Sequence, residues 1–249
     1  MNSIAKIVFG CPAKCPGCVG SLKRHGGYWW CRVCRKKWRP KALTWLKGSK
    51  LPEAQISTLL RGWQRNVSPG AMKHLTGLSY TTVERWYARF RLHLPVDSAS
   101  LQGVVEVDEA FFGRKRHFNQ RIVMGAIERK SGRIKLGIIP DREQDSLEGF
   151  LLRHVQTDSL LHTDCHSGYY DIGWNGYGHT LHNHSIGHFS GTNQIEGVWS
   201  VAKRQLRRMY GQIRTERLPE FLQEWEARRN FKELFNNPYS YLAVCLVPH

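Results

Sequence analysis

Two sets of side chains in this 249-residue sequence have the types and spacing for metal chemistry. The first set is sulfur. Cys15-Pro16-Gly17-Cys18 and Cys31-Arg32-Val33-Cys34 are two CxxC pairs with twelve residues between them. Two intervening residues let both thiolates of a pair turn toward one ion. Four thiolates then complete a tetrahedral zinc site, which replaces the core that so short a segment cannot bury. Cys11 falls outside this spacing. The second set is oxygen: Glu106, Asp108 and Glu109 in one cluster, Asp164, and Glu196. Carboxylates are hard ligands suited to magnesium or manganese. Two such ions about 3.5–4 Å apart can activate a water or hydroxyl and stabilise a leaving oxygen.

These acids fall on different elements. Residues 103–109 read as a strand, followed by strands over 121–127 and 134–139 with a Ser131-Gly132 turn between them. An amphipathic helix is expected over 145–155. A fourth strand over 159–163 ends at Asp164, a fifth covers 180–184, and a long helix runs over 194–210. On that last helix Ile195, Val198, Trp199, Ala202, Leu206 and Met209 form an apolar stripe. Glu196, Ser200, Lys203 and Arg207 share the neighbouring face. Three strands, a helix, a strand and a later helix are the order of a ribonuclease-H-like α/β core with a mixed sheet. That core brings together one acid from the first strand, one from the end of the fourth and one from the final helix. Position alone does not choose among Glu106, Asp108 and Glu109.

The basic residues say what the acids would act on. The formal charge is +17, and the first 100 residues carry eighteen Lys and Arg against Glu53, Glu84 and Asp97. The remaining residues are nearly balanced, at nineteen against seventeen. A basic binding region joined to a domain that needs carboxylates fits a polyanionic partner. After the second CxxC, Arg35, Lys36, Lys37 and Arg39 surround Trp38 and suit phosphate contacts. Helices over 51–63 and 68–75 and a further helix over 80–92, with a Gly77 turn between the last two, read as a helix-turn-helix. Tyr80, Thr81, Thr82 and Arg85 would then meet DNA, while Val83, Trp86, Tyr87 and Phe90 pack inward. Residues 95–100 break the periodicity as a linker.

Val105-Glu106-Val107-Asp108-Glu109, His162-Thr163-Asp164 with Gly168-Tyr169, and Asn193-Gln194-Ile195-Glu196-Gly197-Val198-Trp199-Ser200 with Lys203-Arg204 resemble the blocks of certain prokaryotic insertion-sequence transposases. These are DDE-type enzymes with an N-terminal zinc ribbon and an Asp-Asp-Glu (or Asn)-Lys core. The resemblance implies Asp108, Asp164 and Glu196 as the ligands of two Mg2+ or Mn2+ ions, and Lys203 as the fourth catalytic residue. It also implies cleavage at transposon ends and transfer of the 3′-hydroxyl strand. The partners would be terminal inverted repeats and target DNA, bound by a dimer or higher multimer. Lys203, Arg204, Arg207 and Arg208 would contact phosphates.

The expected organisation is a zinc ribbon over 1–45 and a helix-turn-helix domain over 46–95. A ribonuclease-H-like catalytic domain over 101–215 and a C-terminal helical extension over 216–249 follow. No segment has the roughly 18–20 apolar residues that span a bilayer, and the first ten residues do not form a secretory signal, so the expected location is cytoplasmic. Two other functions share these features: a DNA-binding regulator without catalysis, and a metal-dependent nuclease without strand transfer. His179, His182, His184 and His188 form a histidine-rich stretch that lacks a cysteine framework for a second metal site.

Overall fold

A computed structural model describes residues 7, 14–113, 120–170, 172–182, 192–211 and 213–246. The chain divides into two compact units, one ending at Pro95 and resuming at Lys232, the other Val96–Phe231.

In the first unit, β1 (Leu22–His25), β2 (Tyr28–Cys31) and β3 (Lys37–Trp38) form a small antiparallel sheet in that order. The middle strand, β2, ends at Cys31, the first cysteine of the second CxxC pair. The helices α1 (Glu53–Gln64), α2 (Pro69–Thr76) and α3 (Tyr80–Leu92) follow. Ser68 and Ser79 cap α2 and α3 by accepting hydrogen bonds from the N–H groups of Ala71 and Thr82. Gly77 at φ 69° turns the chain between them. Val83, Trp86, Tyr87 and Phe90 are buried, as their helical spacing predicts. The unit is completed from the other end of the sequence. Helix α7 (Pro238–Cys245) places Tyr241 against Trp63 and Phe90, and its hydroxyl donates to the Phe90 carbonyl at 2.8 Å. The Gln64 amide bonds the carbonyls of Leu234 and Asn237. Edge-on aromatic contacts and the two hydrogen bonds donated by Gln64 Nε2 thus tie residues 232–246 to this unit.

The second unit is a five-stranded mixed sheet. Its strands are β4 (Val104–Phe112), β5 (Arg121–Glu128), β6 (Ile134–Ile139), β7 (Leu160–Asp164) and β8 (Gly178–His182), in spatial order β6-β5-β4-β7-β8. The first three are an antiparallel meander, and β7 and β8 run parallel to β4. This is the ribonuclease-H-like order. Helix α4 (Gln144–His154) makes the crossover to β7. It buries Leu147, Phe150 and Leu151 with Val105, Val107, Met124 and Leu161 on one face of the sheet.

On the other face lie α5 (Asn193–Tyr210) and α6 (Leu218–Asn230). Ile195, Val198, Trp199 and Ala202 of α5, with Leu218, Leu222 and Trp225 of α6, pack on Ala110, Phe112, Val123 and Ile127. Alternate residues of β4 therefore enter opposite cores, as a period of two requires. The segment 216–249, expected as one extension, is divided: α6 braces the sheet and α7 belongs to the first unit. Its weak apolar patterning did not separate the two. Among the described residues no helix is long and apolar enough to cross a membrane.

Candidate active site

The strand β4 carries the three acids that position alone could not rank, and the fold gives them different surroundings. Glu106 is fully buried. Its Oε1 accepts from Arg129 Nε at 2.7 Å, and its Oε2 accepts from the backbone N–H groups of Gln194 and Ile195 at 2.8 and 3.1 Å. Those are first-turn amides of α5, whose own N-cap residue, Thr192, makes no side-chain cap. Glu106 therefore caps α5 from the sheet, where the helix dipole favours a negative charge.

Glu109 points to the opposite face and is equally committed. Arg142 Nε donates to its Oε2 at 3.0 Å, with Nη2 in ion-pair contact with the same oxygen at 2.9 Å, and the Tyr169 hydroxyl donates to Oε1. Tyr169 is buried, and burial beside Glu109 pushes its hydroxyl well above the ordinary range, so it stays a donor. The guanidinium of Arg142 also reaches within 3.7 Å of Asp164 Oδ2. Glu109 thus fastens the turn that follows Asp164.

Asp108 lies between them and, among the described residues, forms no ion pair. It faces α5, and its Oδ2 accepts a hydrogen bond from Trp199 Nε1 at 3.1 Å. Burial, then the negative charges of Glu109 and Asp164, push its carboxyl up to about 6; the backbone N–H of Glu109 and the indole N–H offset part of this. Asp164 is brought close by register. Glu106 pairs with His162 at the end of the parallel β4–β7 ladder, so by the period of two Asp108 and Asp164, just beyond it, fall on the same face, and the Asp164 charge is felt at Asp108. The Asp164 carboxylate is one-third exposed and accepts from the His166 N–H at 3.1 Å.

Glu196 lies in the first turn of α5, exposed, with the Thr192 hydroxyl donating to it at 3.3 Å. The carboxylates of Asp108, Asp164 and Glu196 do not all lie within 4.8 Å of one another, a closeness that among the described residues only the four cysteines reach. The acidic site is spread and partly open where the sulfur site is closed. Lys203, one face-repeat along α5, is exposed with its ammonium 5.6 Å from the Phe112 ring centre. Arg204, Arg207 and Arg208 are exposed on the same helix.

The sulfur site needs only local structure. Cys15 and Cys34 Sγ are 3.5 Å apart, Cys18 and Cys31 Sγ 3.4 Å. Tetrahedral zinc with bonds of about 2.3 Å sets sulfurs about 3.8 Å apart, so the four thiols fit one zinc ion. Val19 and Arg35, each directly after the second cysteine of a pair, take positive φ (59° and 56°) and close the two knuckles alike. Arg35, Lys36, Lys37 and Arg39 are exposed, and Lys37 lies over the Tyr28 ring. In the helical part Tyr80, Thr81 and Arg85 are exposed; Thr82 is half-buried, with its hydroxyl held by Ser79 at 2.8 Å. Cys11, His184 and His188 lie outside the described residues. His179 bonds Thr163 on one face of the sheet while His182 stacks on His162 on the other, so these two do not share a ligand site.

The ISXO2-like transposase domain family matches residues 100–230. The chain belongs to this family. The match begins just before β4 and ends with α6, so it takes in the sheet, all three acidic positions and both helices behind them. Among solved structures, the chain resembles the catalytic core domain of BIV integrase at 16% identity, with a TM-score of 0.36, over 49% of this chain and 81% of that chain. No curated protein matches. The family supports a DNA-acting enzyme of the transposase type, and the cysteine cluster is suited to zinc.

Sequence reasoning did not foresee four of the supporting residues. Glu106 was a rival for the site and is a helix cap. Arg142, Tyr169 and the indole N–H of Trp199 had no role assigned. The signal for Trp199 is Gly125, an isolated glycine inside an apolar strand, which marks a close approach. A Cβ there would lie 2.5 and 2.6 Å from two carbons of the Trp199 ring.

Proposed function

We propose that this chain cuts DNA at the ends of a mobile element and joins the freed 3′-hydroxyl strands to target DNA. One observation carries the reading beyond family membership. Asp108 is shielded from water beside Asp164 and Glu109, and its carboxyl is pushed up to about 6, the electrostatics of a site short of positive charge. Asp108, Asp164 and Glu196 are the residues that would hold two Mg2+ or Mn2+ ions, and ligands shared between two ions need not meet at one point. Held there, such ions would supply activation of the attacking oxygen and stabilisation of the leaving one.

The chain's own groups do the rest. Glu106 fixes the start of α5, and Glu109 with Arg142 and Tyr169 fixes the turn after Asp164. Lys203, as the fourth catalytic residue, meets the phosphate, with Arg204, Arg207 and Arg208 along the backbone. Zinc in the four-cysteine site orders the ribbon, where Arg35, Lys36, Lys37 and Arg39 contact phosphates. Tyr80, Thr81, Thr82 and Arg85 face the terminal repeats, and a dimer or larger multimer pairs the two ends.

A strand-transfer assay with cognate ends and Mg2+ tests this. Cutting followed by joining is expected. Cutting without joining would leave a nuclease, and specific binding with neither would leave a DNA-binding regulator.

A further inference from the structure

Trp199 belongs to the apolar stripe of α5, and its spacing accounts for it fully as a core residue. Its polar atom has a second setting. The indole Nε1 donates to Asp108 Oδ2 at 3.1 Å. The ring is only 5% exposed and is seated on Gly125, which pairs directly across from Asp108 on β5. Phe112 meets it edge-on at 6.0 Å. A side chain larger than glycine at 125 would occupy the ring's place, and Ile195 Cδ1, 3.1 Å from the same point, closes the other side. The seat at Gly125 and the edge of Phe112 thus pack the indole with its N–H toward Asp108.

The chemistry of the donor matters. Glu106 and Glu109 are each held by a guanidinium, which fixes the carboxylate and also cancels its charge. An indole N–H is neutral and cannot be ionised in the working pH range. It orients one oxygen and leaves the negative charge available to a cation. Neighbours that orient metal ligands without competing for them are what a tight metal site requires.

We infer that Trp199 is a positioning residue for divalent-cation binding, holding the Asp108 carboxylate through its indole N–H while Gly125 supplies the seat for its ring. This rests on the reading of Asp108 as a cation ligand. The role is independent of the core packing that Trp199 shares with Trp225.

Titration of the full-length protein with Mn2+, followed by the loss of free-ion electron paramagnetic resonance signal, separates the two roles. Trp199→Phe keeps an aromatic ring and removes the N–H; Mn2+ affinity is expected to fall about tenfold or more. Trp225→Phe, in the same core cluster, is expected to leave affinity unchanged. Adding Trp199→Phe to Asp108→Asn should cause no further loss. Gly125→Ala, which retains every atom of Trp199 and displaces the ring, should weaken Mn2+ as well, and it stands as the second variant if Trp199→Phe folds poorly. If Asp108→Asn weakens Mn2+ binding but Trp199→Phe and Gly125→Ala do no more than Trp225→Phe, the positioning role is overturned alone. If Asp108→Asn leaves Mn2+ binding unchanged, the metal reading of Asp108 fails and the inference fails with it.

Discussion

Asp97 and Asp108 are shielded aspartates of the same unit, and their surroundings are opposite. Asp97 receives Arg133 through Nε at 3.2 Å and Nη2 at 2.8 Å, Asn230 Nδ2 at 2.9 Å and the Ala99 N–H at 3.1 Å, with Lys135 Nζ 3.9 Å away. Burial alone would push its carboxyl up, yet Arg133, Ala99 and Lys135 hold it below the ordinary carboxylate range. Asp108 has burial and two carboxylates pushing the other way, with neutral N–H donors as its offset. The contrast separates two uses of one side chain. A carboxylate surrounded by cations is a fastening, here joining the linker to β6 and α6. A carboxylate kept among other carboxylates is suited to a cation that arrives from outside.

The contrast can be broken most sharply at Asp108. Asp108→Ala should lower the rate of end cleavage by about a thousandfold, the loss of roughly 4 kcal/mol of transition-state stabilisation. Binding to the terminal repeats should change little. Equal losses of binding and cleavage, measured by gel shift and by product formation, would remove Asp108 from the catalytic site.

Stability should respond most at the other aspartate. Asp97→Ala leaves Lys135, which is 3% exposed, without its aspartate, and should cost about 3–4 kcal/mol in urea unfolding at pH 7. Because the native carboxyl of Asp97 is held low, its contribution is present above the ordinary carboxylate pKa and is lost as pH falls through the native value. Wild type and variant should therefore converge below about pH 4. A difference that persists unchanged into acid would show that the ion pairs do not carry it.

The smallest effect has the opposite sign. With its carboxyl raised to about 6, Asp108 binds its proton more tightly in the folded chain than in the unfolded one. The metal-free protein should lose stability as pH rises through that value. Asp108→Asn keeps an acceptor for Trp199 and removes the charge, so at pH 8 it should be more stable than wild type by on the order of 2 kcal/mol, and nearly equal at pH 4. Thermal melts in chelator at the two pH values measure this; a destabilised variant at pH 8 would contradict the electrostatic account.

Several elements were legible before any coordinates. The strands over 121–127 and 134–139 and the helix over 80–92 match β5, β6 and α3 closely, because period-two and 3.6-residue apolar patterns had clear turn residues at their ends. The fifth strand, expected over 180–184, begins at Gly178 in a stretch with few apolar residues to mark its start, and residues 183–184 lie outside the described residues. The C-terminal helices were harder. Residues 218–230 are rich in charged side chains and only weakly patterned, and residues 238–245 are apolar nearly all round; neither pattern says which core receives the helix.

The four-cysteine site was written in the chain, since two CxxC pairs converge through local turns and the sulfurs need nothing distant to meet. The acidic positions on a strand, a strand end and a helix were visible too, along with the basic stretches near them. Ranking the three acids of β4 needed tertiary structure. Glu106, Asp108 and Glu109 differ by what packs against each, and those partners, Arg129, the first turn of α5, Trp199, Arg142 and Tyr169, come from separate elements. Strand alternation and helix packing bring them to neighbouring positions along β4. Two of the acids become fastenings there, and the third is left without a cation among the described residues.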